Sequence, residues 1–224
     1  TNDDLFLASM GIYVFNKGIL EEAMGTDLTD FGSHIIPSMI KTHRVFSYIY
    51  QGYWEDIGTI RAFYDANLDL TEPKPKFNFF DAESPIYSRA RYLPASKVRE
   101  SDIDRAVIAD GCILVKTKLD RCVVGVRSHI GEGTKITETI VMGMDYYETE
   151  SMRLTAESQG EPPMGIGNNC DITHAIIDKN VRIGNNVRIS PEGKPKEMDG
   201  KDFYIRDGIV CIPKGTVLKD DTVI

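Results

Sequence analysis

The chain has 224 residues, 26 basic and 34 acidic side chains, a net charge of −8 and 42% hydrophobic residues. That length suits one large domain or two small ones and is enough to bury a real core. The acidic balance excludes a nucleic-acid scaffold, which needs a basic face, and no run reaches the ~18 apolar residues of a membrane span.

The chain opens without Met, and Thr-Asn-Asp-Asp does not resemble a signal peptide. We expect the later part of a longer protein. Leu5–Phe15 (LFLASMGIYVF) is apolar almost throughout, the pattern of a strand buried on both faces. Lys17–Met24 predicts a short helix. Phe31–Lys41 predicts another, with Asp30 and Ser33 as its candidate caps and Pro37 limiting its start. Arg44–Tyr50 is β-rich.

Gly52-Tyr-Trp-Glu-Asp-Ile-Gly-Thr59 then places an acidic pair between that run and a helix over Ile60–Leu70. Ligands of α/β enzymes bind beyond the carboxyl ends of strands. Helix starts there offer free N–H groups and a positive dipole end. A carboxylate at such a point can hold a divalent cation against a phosphate. The competing reading is that Asp56 only caps the helix. Thr59 is a second candidate cap, and Ile60, Phe63, Tyr64, Asn67 and Leu68 form one helical face.

Thr71-Glu-Pro-Lys-Pro-Lys76 reads as an extended linker. An aromatic- and proline-rich bridge follows over Phe77–Pro94. Beyond Ile103 the pattern changes to a period of six. Val124, Ile130 and Ile136 stand six apart, as do Ile177, Ile183 and Ile189, then Ile212, Leu218 and Ile224. Ser128, Thr134, Ile140, Val181, Val187, Thr216 and Thr222 recur four residues on. This period predicts a parallel β-helix, each short face giving one inward aliphatic and one small corner residue. Met142–Gly165 breaks the repeat, with a helix expected over Glu148–Glu157 outside the coils, and Lys194–Lys201 reads as a loop. The domains are therefore 1–70, a bridge over 71–102, and 103–224.

Cys112, Cys122, Cys170 and Cys211 form no C-x-x-C pair. They read as reduced thiols of a cytoplasmic protein, packed as small hydrophobes. His129 and His174 are the only coil histidines. A hexapeptide acyltransferase would need such a base, but the α/β segment before the linker argues against that class.

Several strings together resemble the sugar-1-phosphate nucleotidylyltransferases, and within them the ADP-glucose pyrophosphorylases (glucose-1-phosphate adenylyltransferases). They are Ala8–Phe15, Asp30–Ser33, Gly52–Thr59, Ala66–Leu68, Pro85–Tyr87, Arg91–Pro94, Met142–Glu148, Ala175–Asn180 and Ile205–Val210. The resemblance implies an α/β remnant of a nucleotidyltransferase (Rossmann-like) domain followed by a left-handed parallel β-helix of hexapeptide repeats. It implies transfer of the adenylyl group of ATP to glucose 1-phosphate, releasing pyrophosphate, for glycogen or starch synthesis. A Mg²⁺ cofactor, phosphorylated-metabolite effectors, a homo- or hetero-tetramer, and a cytoplasmic (in plants plastid) location go with it; nucleic acid and membrane do not.

By the same resemblance Asp56 is a metal-binding catalytic carboxylate, with Glu55 tuning its field. Ser9 contacts the glucosyl phosphate, the competing reading being a bond to its own backbone, and Trp54 packs either beside the sugar or in the core. Arg89, Arg91, Lys179 and Lys214 match effector-binding positions, where guanidinium forks and ammonium charges suit phosphate. The family's Gly-rich loop, first metal-binding Asp and Glu-Lys pair are not in this sequence. Alone, the chain is expected to be inactive. A non-catalytic regulatory subunit and a sibling transferase using another nucleotide are the alternative readings.

Overall fold

A computed structural model describes residues 8–224 of the chain. Contacts divide it into two compact units, Thr1–Gly52 and Tyr53–Ile224.

In the first unit, α1 spans Lys17–Met24 as its pattern predicts. A π-helical turn over Phe31–Ile35 runs into α2, Ile36–Met39. Ala23, Ile35 and Met39 form a small buried cluster with Phe15, Ile19 and Phe31 against it. The cap is Asp30 and not Ser33: Asp30 Oδ1 accepts the Ser33 N–H. Pro37 sits in the first turn of α2, where a missing N–H costs nothing.

The strand expected over Leu5–Phe15 does not form where it is described. Leu5–Leu7 lie outside the described residues, and residues 8–15 have no regular structure, with Ile12 and Val14 exposed. Arg44–Tyr50 likewise has no regular structure and pairs with none of the described residues as a strand, and Phe46 and Tyr48 are exposed. A doubly buried strand exists only between neighbours that take its backbone bonds and helices that cover its faces. Among the described residues this unit contains no sheet.

The second unit is a parallel β-helix with one helix packed on it. One face stacks β1 (Lys97–Arg99), β3 (Ile113–Val115), β5 (His129–Ile130), β7 (Gly165–Ile166), β9 (Arg182–Ile183) and β14 (Val217–Leu218). β2 (Asp102–Ile108), β4 (Lys118–Val124), β6 (Lys135–Val141) and β8 (Asp171–Ile177) each run through two faces. They bend where Arg105, Arg121, Glu138 and His174 take φ of 45–55°. β10 (Arg188–Ile189) pairs with the first half of β8, and β13 (Ile209–Ile212) with its second half. The aliphatics six apart all point inward: Val124, Ile130, Ile136, Ile177, Ile183, Ile189, Ile212, Leu218 and Ile224 belong to one buried core.

Two excursions leave the coils. α4 (Glu150–Ser158), capped by Thr149, is the helix expected there. Lys194–Lys201 is not wholly loop: β11 (Met198–Asp199) pairs antiparallel with β12 (Tyr204–Arg206), which leads back into β13. Cys112, Cys122 and Cys170 are buried free thiols and Cys211 is half-buried. Burial pushes the Cys122 thiol up to about 11.

α3 (Ile60–Asp69) starts on the Thr59 hydroxyl, which accepts the Ala62 N–H at 3.1 Å. Its Tyr64 and Leu68 are buried against Ile140, Ile176 and Ile209, with Phe63, Val123, Met142 and Cys211 around them. The Tyr64 hydroxyl donates to the Glu138 carbonyl, and Arg61 donates to the Asp207 carbonyl. Leu68→Ala empties the centre of this layer, so it destabilises the second unit by about 3 kcal/mol. Urea unfolding followed by circular dichroism measures that; a change under about 1 kcal/mol would show that the layer is not packed as described.

Candidate functional site

Asp56 lies on the exposed loop that enters α3. Its Oδ1 accepts the Gly58 N–H at 3.1 Å. The helix cap is Thr59, so the reading of Asp56 as the cap is set aside. Glu55 beside it is exposed, and Trp54 is 48% exposed rather than packed in a core.

Among the described residues no three His, Cys, Asp or Glu side chains converge as a ready-made metal cage. A lone carboxylate tied to the protein through one oxygen still fits Mg²⁺, which takes one or two protein carboxylates and fills its shell with phosphate oxygens and water.

Ser9 belongs to the first unit, is exposed, and bonds locally. Its hydroxyl accepts the Gly11 N–H at 3.2 Å and meets the Tyr13 hydroxyl at 3.0 Å. Arg89 and Arg91 are exposed on the bridge, which has no regular structure there.

Lys179 and Lys214, by contrast, come to one point. They occupy the corners that follow β8 and β13. Corner stacks on corner: the Asn180 N–H donates to the Gly143 carbonyl at 3.2 Å, and the Gly215 N–H to the Lys179 carbonyl at 2.9 Å. The corner after β6 carries Asp145. Lys179 Nζ meets Asp145 Oδ1 at 2.9 Å and Lys214 Nζ meets Oδ2 at 2.7 Å. The Asn180 amide donates to Oδ2 at 3.0 Å while its oxygen accepts the Asp145 N–H at 2.8 Å. The guanidinium of Arg127 donates to the neighbouring Met144 carbonyl at 3.2 Å and lies over the Tyr147 ring.

Sequence reasoning missed Asp145 and Arg127 as members of this cluster. Asp145 stands 34 residues before Lys179 and 69 before Lys214, so no local motif joins them. Lys179 and Lys214 share one coil position, two residues past the paired Ile177 and Ile212, whereas the counterpart of Lys179 in the coil before is Gly143 and Asp145 stands two residues beyond it.

Hydrogen bonds from Lys214, Lys179 and Asn180 hold the Asp145 carboxyl far below the usual range, and Asp145 in turn raises Lys214. A depressed carboxyl contributes stability above its unfolded value of about 3.9 and loses it as pH falls through the folded one. The clasp should therefore persist at pH 4 and open only in stronger acid. A carbon-13 carboxyl titration should give Asp145 a midpoint well below 3.9, returning toward it in Lys214→Ala; an ordinary midpoint in the parent would refute the ion pairs.

His174 Nδ1 contacts Glu138 at 2.9 Å and its ring stacks on Tyr64, which makes it part of the α3 attachment rather than a free base.

Comparison with known proteins agrees with this architecture. Residues 91–223 match the family model of the GLGC left-handed parallel β-helix domain, and residues 3–73 match that of nucleotidyl transferase. A wheat (Triticum aestivum) protein, glucose-1-phosphate adenylyltransferase small subunit, chloroplastic/amyloplastic, is 46% identical over 228 residues, covering 98% of this chain and 48% of the relative. The chain thus spans about half the length of the curated relative it matches. It belongs to the GLGC left-handed parallel β-helix family, preceded here by a nucleotidyl transferase segment.

Proposed function

We propose that the chain is part of a glucose-1-phosphate adenylyltransferase, which joins ATP and glucose 1-phosphate into ADP-glucose and pyrophosphate. The observation that carries this reading is the 46% identity to the wheat protein across 98% of the chain. The order of the two matched segments supports it.

Two polyanions must meet in this reaction, so the protein's task is positioning and charge neutralisation. Asp56 would hold a divalent cation, Mg²⁺ in our reading, and the ion when bound would neutralise phosphate oxygens. The Gly58 N–H fixes the Asp56 carboxylate at the entry to α3. Glu55 adds negative field beside it. Ser9 offers a hydroxyl to the glucosyl phosphate and Trp54 an apolar face to the sugar. The remaining nucleotide-binding groups of the family lie outside this sequence.

The second site is regulatory. Lys179 and Lys214, with Arg89 and Arg91 on the bridge, bind a phosphorylated metabolite. The convergence of both ammonium groups on one point supports this assignment. We further assign a tetramer, located in the cytoplasm or, in a plant, in the plastid; the wheat relative's name places that protein in the chloroplast or amyloplast.

The present chain alone should release no pyrophosphate from ATP and glucose 1-phosphate; release would overturn the division of labour drawn here. In the full-length polypeptide, Asp56→Asn should lower turnover about a hundredfold or more. Unchanged turnover, read by a coupled pyrophosphate assay, would remove Asp56 from the site.

A further inference from the structure

The lysine pair is already occupied. Its occupant is a carboxylate of the same chain, bound much as a phosphate would be, with each ammonium group on a different oxygen. The lysines do not simply drag a mobile side chain into place. Asn180 grips Asp145 twice, by backbone and by carboxylate. Just upstream, Gly143 has φ of 85°, and a Cβ there would lie 2.4 Å from the Val126 carbonyl, so the path of the turn is fixed by close backbone approach.

The cluster is open to solvent. The side chains of Asp145, Lys179 and Lys214 are 36%, 35% and 56% exposed. An anion can therefore reach the ammonium groups, but it meets a negative charge at the one position where both can donate. Such an anion gains two charge-assisted hydrogen bonds only by taking them from Asp145. Asp178 is the other nearby carboxylate, and it is engaged differently: it accepts the Lys179 backbone N–H at 2.6 Å.

We propose that Asp145 is an internal counter-ion that keeps the Lys179–Lys214 pair closed, and that a phosphate-bearing anion binds there by displacing it. This rests on the reading of the pair as an anion site. The two claims fail separately. Asp145 then sets the effector concentration at which the site fills.

Isothermal titration of this chain with inorganic phosphate at low ionic strength tests the proposal. Asp145→Asn, nearly isosteric, should tighten phosphate binding about tenfold, and Asp145→Ala should do at least as well. Asp178→Asn, which removes the same charge without freeing an ammonium group, should change it less than about threefold. Lys179→Ala and Lys214→Ala should each lose most of the binding in the Asp145→Asn background. Equal affinity in parent and Asp145→Asn, with binding still lost in Lys214→Ala, would overturn the counter-ion and leave the anion site standing. Equal gains from Asp145→Asn and Asp178→Asn would also overturn it, in favour of a diffuse field. No phosphate binding to any variant would end both claims.

Discussion

The stacking of one coil's corner on the next is the constraint from which the rest of the second unit follows. Each turn hands its backbone N–H to the carbonyl of the turn beside it, as Asn180 does to Gly143 and Gly215 to Lys179. In-register parallel pairing, Lys135 to Asp171 and Val141 to Ile177 along β6 and β8, keeps every inward aliphatic over its counterpart. A slip of one residue would turn that whole set outward. The same register that fills the core therefore places residues far apart in the chain above one another on the surface. Lys179 and Lys214 stack for that reason, and the turn at Gly143 brings Asp145 to them.

The bends show how the surface is used. Arg105, Arg121, Glu138 and His174 adopt positive φ, an uncommon conformation for side-chain-bearing residues. Each side chain meets a polar partner. Arg105 pairs with Asp120 at 2.7 Å, Arg121 with Glu72 and Glu138 at 3.1 and 3.0 Å, and His174 with Glu138. At Glu138 the bend also leaves a carbonyl outside the ladder, and the Tyr64 hydroxyl satisfies it. Buried polar atoms need such partners, so the helix is attached by chemistry as well as by apolar area.

Much of this was legible in the sequence. The six-residue period named the buried positions because an inward aliphatic at each face is the only way such narrow coils can fill. Thr59 was legible as a cap because a hydroxyl just before an amphipathic run has one local use. The failures have physical causes too. Leu5–Phe15 and Arg44–Tyr50 carry strand composition, but strand pairing is a property of neighbours, and the described part of the first unit supplies none. Asp30 outdid Ser33 as a cap because its carboxylate reaches the free N–H from one turn earlier. The hairpin at Met198–Arg206 hid behind lysines and glycine, since both residues of β11 are exposed and only Ile205 of β12 enters the core. Asp145 was silent in the sequence because it stands two residues out of register with the lysines and meets them only through the turn that follows Gly143.

α3 rests on Ile140, Ile176 and Ile209, one from each of β6, β8 and β13. Those three strands run straight into the corners that bear Asp145, Lys179 and Lys214. One wall of the prism thus has the charged cluster at its rim and the helix just beyond Asp56 bolted across its middle. Hydrogen-bonded parallel strands shear far less easily than loops bend. The charged corners and the seat of α3 are thus carried by the same three strands.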